Sequence, residues 1–210
     1  MEVLLIAATE MEIGPYASSH GTPDILITGV GIAATLYHLQ KRLQQIRYHL
    51  VIQAGIAGSF TEETATGQTV LVKQDCFGDM GMEQNKKFTT VFEEGFGNAD
   101  EFPFDKGWLI NPHVIFGETL LPVVNGVTVN KVSDDPFQKR QLIQKFSPGT
   151  ESMEGAALHY VCLQEKTAFL QIRGISNYVG ERDRAKWKMK TAIENMNGEL
   201  KKIIDGFTGL

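Results

Sequence analysis

Apolar positions along this chain alternate between short unbroken runs and longer stretches with a helical period. Residues 3–8, 25–28, 50–52 and 69–72 form the unbroken runs, and 168–172 is broken only by Gln171. Each has the length of a strand and lies between polar residues or glycines, which predicts strands buried on both faces. Ile32, Leu36, Leu39, Leu43 and Ile46 recur at a spacing that keeps one helix face apolar. From Met153 the positions 153, 156, 157, 160 and 161 do the same. The series Met189, Ala192, Ile193, Met196, Leu200, Ile203, Ile204 and Phe207 is the clearest helical period in the chain. Residues 123–129 read as extended, interrupted by Asn125-Gly126, a turn dipeptide that predicts a hairpin.

Strands alternating with helices predict a largely parallel α/β sheet. The 210 residues carry no internal repeat, linker or low-complexity tract, so one domain over 1–210 is expected. Residues 74–108 fit neither pattern. They are rich in glycine and hold six of the twelve phenylalanines: Phe77, Phe88, Phe92, Phe96, Phe102 and Phe104. A long irregular stretch of this kind is a subunit contact, a wall of the substrate pocket, or plain core. Aromatic surface there favours a homo-oligomer, a dimer or larger.

Composition removes several function classes. The net charge of -5 and the pI of about 5.6 argue against nucleic acid as a partner, because neutralising phosphates takes a concentrated basic surface. The basic stretch at 182–190 is interrupted by Asp183 and Trp187 and reads as a solvated loop and helix start. Cys76 and Cys162 stand far apart, as reduced thiols would. The histidines show no pair at ligand spacing, so no metal site is expected. The run at 3–8 is too short for a membrane span or a signal peptide, which predicts a cytoplasmic protein with no membrane partner.

Two glycine elements follow predicted strands: Gly29-Val30-Gly31 and Gly55-Ile56-Ala57-Gly58. Both read as tight turns whose N–H groups are able to approach an anion or a polar sugar. The first is not a dinucleotide fingerprint, since Ala34 replaces the last glycine and no acidic residue follows about twenty positions on.

Polar residues in otherwise apolar surroundings complete the picture: Glu12 after the first run, Glu154 within Met153-Glu154-Gly155-Ala156-Ala157, and Asn177 closing Arg173-Gly174-Ile175-Ser176-Asn177. In this order, together with residues 7–12, the turn at 28–31 and residues 53–58, they resemble the nucleoside phosphorylase and nucleosidase superfamily. Within it, residues 173–183 followed by Trp187 resemble the C-terminal signature of the futalosine hydrolase family. Methylthioadenosine and S-adenosylhomocysteine nucleosidases are more distant.

The resemblance implies a single-domain α/β/α sandwich around a mixed, largely parallel twisted sheet, a purine nucleoside as the small-molecule substrate, and no cofactor. Cleavage of an N-ribosidic bond passes through an oxocarbenium-like sugar, which fixed negative charge stabilises. Glu154 is implied to hold the ribose hydroxyls, with Met153 packed on the sugar face. Glu12 is implied to activate water, its spacing from the first strand separating it from Glu10. Asn177 is implied to meet the base: its carbonyl accepts from N7–H while its NH2 donates to a 6-oxo group. Adenine-specific relatives carry Asp there, so the amide points to hypoxanthine. Gly55, Ile56, Ser176 and Val132 are implied substrate contacts, with Ser133 an alternative to Val132 for stacking on the base. Ile56 stands where adenine nucleosidases carry Ser.

Superfamily phosphorylases place an Arg before the second glycine element, where this chain has Gln53. No Arg or Lys lies between Leu50 and Thr69, so water is the expected nucleophile. The expected reaction is hydrolysis of futalosine to hypoxanthine and dehypoxanthine futalosine, in the futalosine route to menaquinone. A purine nucleoside phosphorylase, an adenine-type nucleosidase and a non-catalytic nucleoside binder remain alternatives.

Overall fold

A computed structural model describes residues 2–18, 23–113, 120–132 and 134–208. The apolar run after the N-terminus forms β1 (Val3–Ala7), buried along its whole length. Helix α1 (Glu10–Ala17) follows directly, then β2 (Asp24–Ile27), α2 (Ile32–Gln45) and β3 (Leu50–Ser59). Next come β4 (Thr69–Asp75), a small hairpin of β5 (Gly81–Gln84) and β6 (Lys87–Thr90), and the two-residue β7 (Leu109–Ile110). The C-terminal half runs β8 (Val123–Thr128), α3 (Pro136–Phe146), β9 (Thr150–Ser152), α4 (Gly155–Gln164), β10 (Phe169–Tyr178) and α5 (Met189–Thr208).

The main sheet has the order β10-β4-β8-β9-β3-β1-β2, and β10 also pairs with β3. That extra pairing closes β3, β10, β4, β8 and β9 into a ring, with β1 and β2 extending from β3. The sheet is mixed: β1–β2, β1–β3, β3–β10, β4–β8 and β8–β9 are parallel, while β4–β10, β3–β9 and β4–β7 are antiparallel. Helices cover both faces. Met196, Leu200 and Ile204 of α5 pack with Ile13 and Tyr16 of α1 over Leu5, Ile52 and Leu170. Leu39 of α2 and Leu158, Val161 and Cys162 of α4 pack over Leu4, Ile6, Val51 and Phe169 on the other face. The α/β fold and the mixed, largely parallel sheet match the expectation.

Several local expectations fail for one physical reason. Asn125-Gly126 does not turn. β8 runs straight through it, pairing in parallel with β4 and β9. Gly126 is there because a Cβ would lie 2.6 Å from Asp75 Oδ2. Nor is Gly55-Ile56-Ala57-Gly58 a loop, since all four residues belong to β3. Here too glycine serves close approach of side chains rather than backbone freedom. Gly29 and Gly31 do have positive φ, at 84° and 94°, and form a true turn.

The helix expected from Met153 starts two residues later, at Gly155. Residues 74–108 contain more structure than expected. Phe77 and Phe104 pack with each other and with Tyr160 of α4, and Phe92 packs on Phe104, at centroid distances of 5.1–6.5 Å, while Phe96 and Phe102 stay 75% and 61% exposed.

Candidate active site

β1, β3 and β10 run parallel, and their C-terminal ends, with the segments that follow, carry the polar cluster. Beyond β1, Thr9 caps α1 and turns the chain so that Glu12 points back at the sheet. Glu12 Oε2 accepts from the Thr9 N–H and hydroxyl, both at 3.0 Å, and Oε1 accepts from the Ile56 N–H at 3.0 Å. A carboxylate offers roughly four acceptor positions. Three are committed to holding its orientation, and one remains for a further donor. Ile56 thus holds Glu12 through its backbone N–H.

Arg173 lies opposite Gly55 in the β3–β10 register, and its side chain is 1% exposed. Nη2 donates to Gln53 Oε1 at 2.8 Å, and Nη1 stands 3.7 Å from Glu154 Oε2. A Cβ on Gly55 would meet Arg173 Nη1 at 2.6 Å and Glu12 Oε1 at 2.8 Å. Glycine at 55 therefore leaves the space in which the guanidinium and the Glu12 carboxylate sit side by side. A basic residue from elsewhere in the chain thus reaches Gln53. The chain segment 50–69 lacks one, yet strand pairing brings Arg173 to Gln53 from far away in sequence.

Glu154 sits at the start of α4 with its side chain turned away from its own helix. Oε1 accepts from the Gly31 N–H at 3.0 Å. The glycine turn at 29–31 accordingly holds an anion, and that anion is the protein's own carboxylate. Burial pushes the Glu154 carboxyl above its ordinary range; Arg173 and the Gly31 N–H oppose this, and Glu12 adds to it. With both glutamates ionised, the Glu12–Arg173–Glu154 trio carries one net negative charge.

The position of Glu154 depends on a buried network that sequence reasoning missed. Asp75 accepts from the Thr128 hydroxyl at 2.9 Å, the Gln171 amide at 3.1 Å and the Cys76 N–H at 2.8 Å. Thr128 Oγ1 in turn accepts from the Ala156 N–H at 2.7 Å, and Ser152 Oγ accepts from the Gly155 N–H at 3.2 Å. These contacts satisfy the first N–H groups of α4 and seat the helix. Burial raises the Asp75 carboxyl to about 6 despite the three donors. Arg173 was legible as a charge inside an apolar strand; nothing local marked Asp75.

Asn177 is paired with Gly58, further along β3 than Gly55, beyond a bulge in β10. Its Oδ1 accepts from the Ser176 hydroxyl at 2.7 Å, and its Nδ2 donates to the Tyr178 carbonyl at 3.0 Å. These bonds fix which end of the amide faces which way. Ser176 is itself buried, so it orients the amide from behind. Met153 is half-buried beside Glu154. Val132 packs half-buried against Cys76, Val127, Val129 and Leu142, near the same end of the sheet. Ser133 lies outside the described residues.

A ring of strands whose parallel ends carry paired glutamates, a buried arginine and an oriented amide is the layout of a nucleoside-cleaving protein. The chain belongs to the phosphorylase superfamily, whose family model matches residues 6–205. It is 30% identical over 181 residues to futalosine hydrolase of Acidothermus cellulolyticus, covering 83% of this chain and 72% of that one, which places it in the futalosine hydrolase family. It is 29% identical over 200 residues to the futalosine hydrolase of Streptomyces coelicolor, covering 90% of this chain and 83% of that one. Among solved structures, futalosine hydrolase of Helicobacter pylori superposes with a TM-score of 0.82 at 14% identity, over 98% of each chain, a likeness of fold.

Proposed function

We propose that this chain hydrolyses the N-ribosidic bond of futalosine, releasing hypoxanthine and dehypoxanthine futalosine in a menaquinone-forming route. Glu154, held by Gly31 and Arg173, accepts hydrogen bonds from the ribose hydroxyls. Ionic hydrogen bonds of this kind strengthen as positive charge grows on the sugar. Glu12 uses its remaining acceptor position to take a proton from the attacking water. Arg173 keeps the two carboxylates close together without leaving either as an unpaired buried charge. Asn177 receives the departing base, accepting from N7–H and donating to the 6-oxo group. Met153 packs the sugar, Gly55 and Ile56 form the floor beneath it, and Val132 borders the base. Ser176 acts through the amide it orients.

The observation that carries this proposal is the crowding at Gly55, where the tips of Glu12 and Arg173 both lie within 3 Å of a would-be Cβ. The Arg173 guanidinium is already engaged by Gln53 and Glu154, which favours water over phosphate as nucleophile. The exposed Phe96 and Phe102 fit a subunit contact, so the working form is a homo-oligomer, and the enzyme acts in the cytoplasm.

The test is product analysis with purified protein offered futalosine, inosine and methylthioadenosine, each with and without phosphate. Hypoxanthine released from futalosine without phosphate is the expected result. Adenine from methylthioadenosine with futalosine untouched would reject the substrate; strict dependence on phosphate would reject hydrolysis. Binding of nucleosides without any base release would reject catalysis altogether.

A further inference from the structure

Helix α5 reaches the candidate site from behind, through one buried polar side chain. Asn197 is 5% exposed and stands between Met196 and Leu200, which pack into the apolar core. Its Nδ2 donates to the Ile193 carbonyl at 2.7 Å, one turn back on its own helix, and to the Glu12 carbonyl at 2.8 Å. Its Oδ1 accepts from the Tyr16 N–H at 3.1 Å. The Glu12 carbonyl and the Tyr16 N–H are four residues apart, the two groups that a regular helical turn joins. Gly14 and Pro15 of α1 lie between them. Proline has no N–H, and its ring crowds the carbonyl four residues earlier, which opens a helix to an inserted side chain. An amide matches that place because it offers a donor and an acceptor side by side.

Nearer its start, α5 is tied to β10. The Lys188 N–H, just ahead of α5, donates to the Ser176 carbonyl at 2.8 Å. A Cβ on Gly174, next to Arg173, would lie 2.5 Å from the Ala192 carbonyl oxygen, so glycine there lets the helix backbone lie against the strand. One rigid helix thus joins the strand that carries Arg173 and Asn177 to the main chain of Glu12. Glu12 itself is held at both ends: its carboxylate by Thr9 and Ile56, its carbonyl by Asn197.

Resting on the reading of Glu12 as the group that activates water, we propose that Asn197 is a positioning residue for Glu12, through which α5 sets where that carboxylate stands relative to Arg173 and Asn177. Asn197 acts through the main chain of Glu12 and touches no reacting atom. Glu154 and Asn177 have supports of their own, so loss of Asn197 lowers kcat and leaves KM in place. A merely structural role would lower stability without separating the two constants.

The test uses the full chain with Asn197→Ser, Asn197→Asp and, as a control, Asn195→Ala. Serine is able to bond the Ile193 carbonyl within its own helix but does not reach α1. Aspartate keeps the shape and the acceptor for Tyr16, and it turns an oxygen toward the Glu12 carbonyl. Asn195 donates to the Gly67 carbonyl at 2.7 Å, a bond of the same kind that does not involve α1. Two readouts are taken where circular dichroism shows each variant folded: steady-state hypoxanthine release from futalosine, and the NMR signal of the Ile56 amide proton, which is donated to Glu12. Both Asn197 variants should lose roughly 10- to 100-fold in kcat with KM within about threefold, as a misplaced reacting group does. Their Ile56 amide should move upfield and exchange faster with solvent. Asn195→Ala should keep kcat within about threefold and the Ile56 signal in place. Wild-type kcat or an unmoved Ile56 amide in the Asn197 variants, or equal losses in Asn195→Ala, would overturn the proposal. Failure of both Asn197 variants to fold would make the residue structural and overturn it too. If wild type releases no base, or Glu12→Gln turns over like wild type, the reading of the site fails instead, and the Ile56 amide still decides whether Asn197 places Glu12.

Discussion

Replacing Gly55 by alanine tests the site without removing any of its polar groups. Gly55 has no positive φ, so alanine meets no backbone strain there. The new methyl group would lie 2.6 Å from Arg173 Nη1 and 2.8 Å from Glu12 Oε1. These fall short of an ordinary 3.4 Å contact by roughly 0.8 and 0.6 Å. Neither tip is free to swing aside: Arg173 is bonded to Gln53, and Glu12 is bonded to Thr9 and Ile56. The shift must pass into the trio itself. A displacement of about 1 Å at a reacting group costs on the order of 100-fold, so kcat should fall roughly 30- to 100-fold. Overpacking should also cost about 1–3 kcal/mol of stability. The assay is steady-state hypoxanthine release from futalosine, measured well below the Tm of the variant, with circular dichroism to confirm folding. A folded variant whose kcat stays within about threefold of wild type would refute the idea that the groups beside Gly55 perform the chemistry.

Glu12→Gln should abolish turnover while leaving the affinity for futalosine within about threefold, read by calorimetry, because Gln cannot take the proton from water. Glu154→Gln should weaken both binding and turnover, seen as a raised KM together with a lowered kcat. Asn177→Asp should shift base preference toward 6-aminopurines, checked as the ratio of kcat/KM for adenosine and inosine; an unchanged ratio would mean that Asn177 does not read the base. Glu151→Gln should make the protein more stable in alkali. The folded carboxyl titrates at about 7 against an ordinary 4.5, so the stability it contributes below 4.5 is lost as pH rises through 7. Gln does not suffer that loss, so the variant should gain up to about 3 kcal/mol over wild type near pH 8 and little near pH 4, read as the denaturant midpoint.

Helices α1 and α3 show how partial a reading by periodicity is. α3 opens with Asp135 accepting from the Phe137 N–H and with Pro136 at its first position, a start signal visible in the sequence. Its apolar face is narrow, however, and gave no clear period. α1 contains Gly14 and Pro15 and is fixed by Thr9 and Glu12 rather than by helix propensity. β9 is three residues long and exists only because β3 and β8 pair with it. In each case the element is stabilised by contacts distant in sequence, which a local pattern does not contain.

By itself the sequence determined the alternating α/β order, the buried strands and the amphipathic α2 and α5, because each of these is written in neighbouring side chains, whereas Glu12, Glu154 and Asn177 were marked through the family their motifs resemble. Tertiary structure alone decided that β10 closes the ring on β3, that Arg173 lies between two glutamates, and that Asp75 seats α4. Those relations are set by which strands pair and in what register, and register follows from the packing of the whole sheet rather than from any one segment.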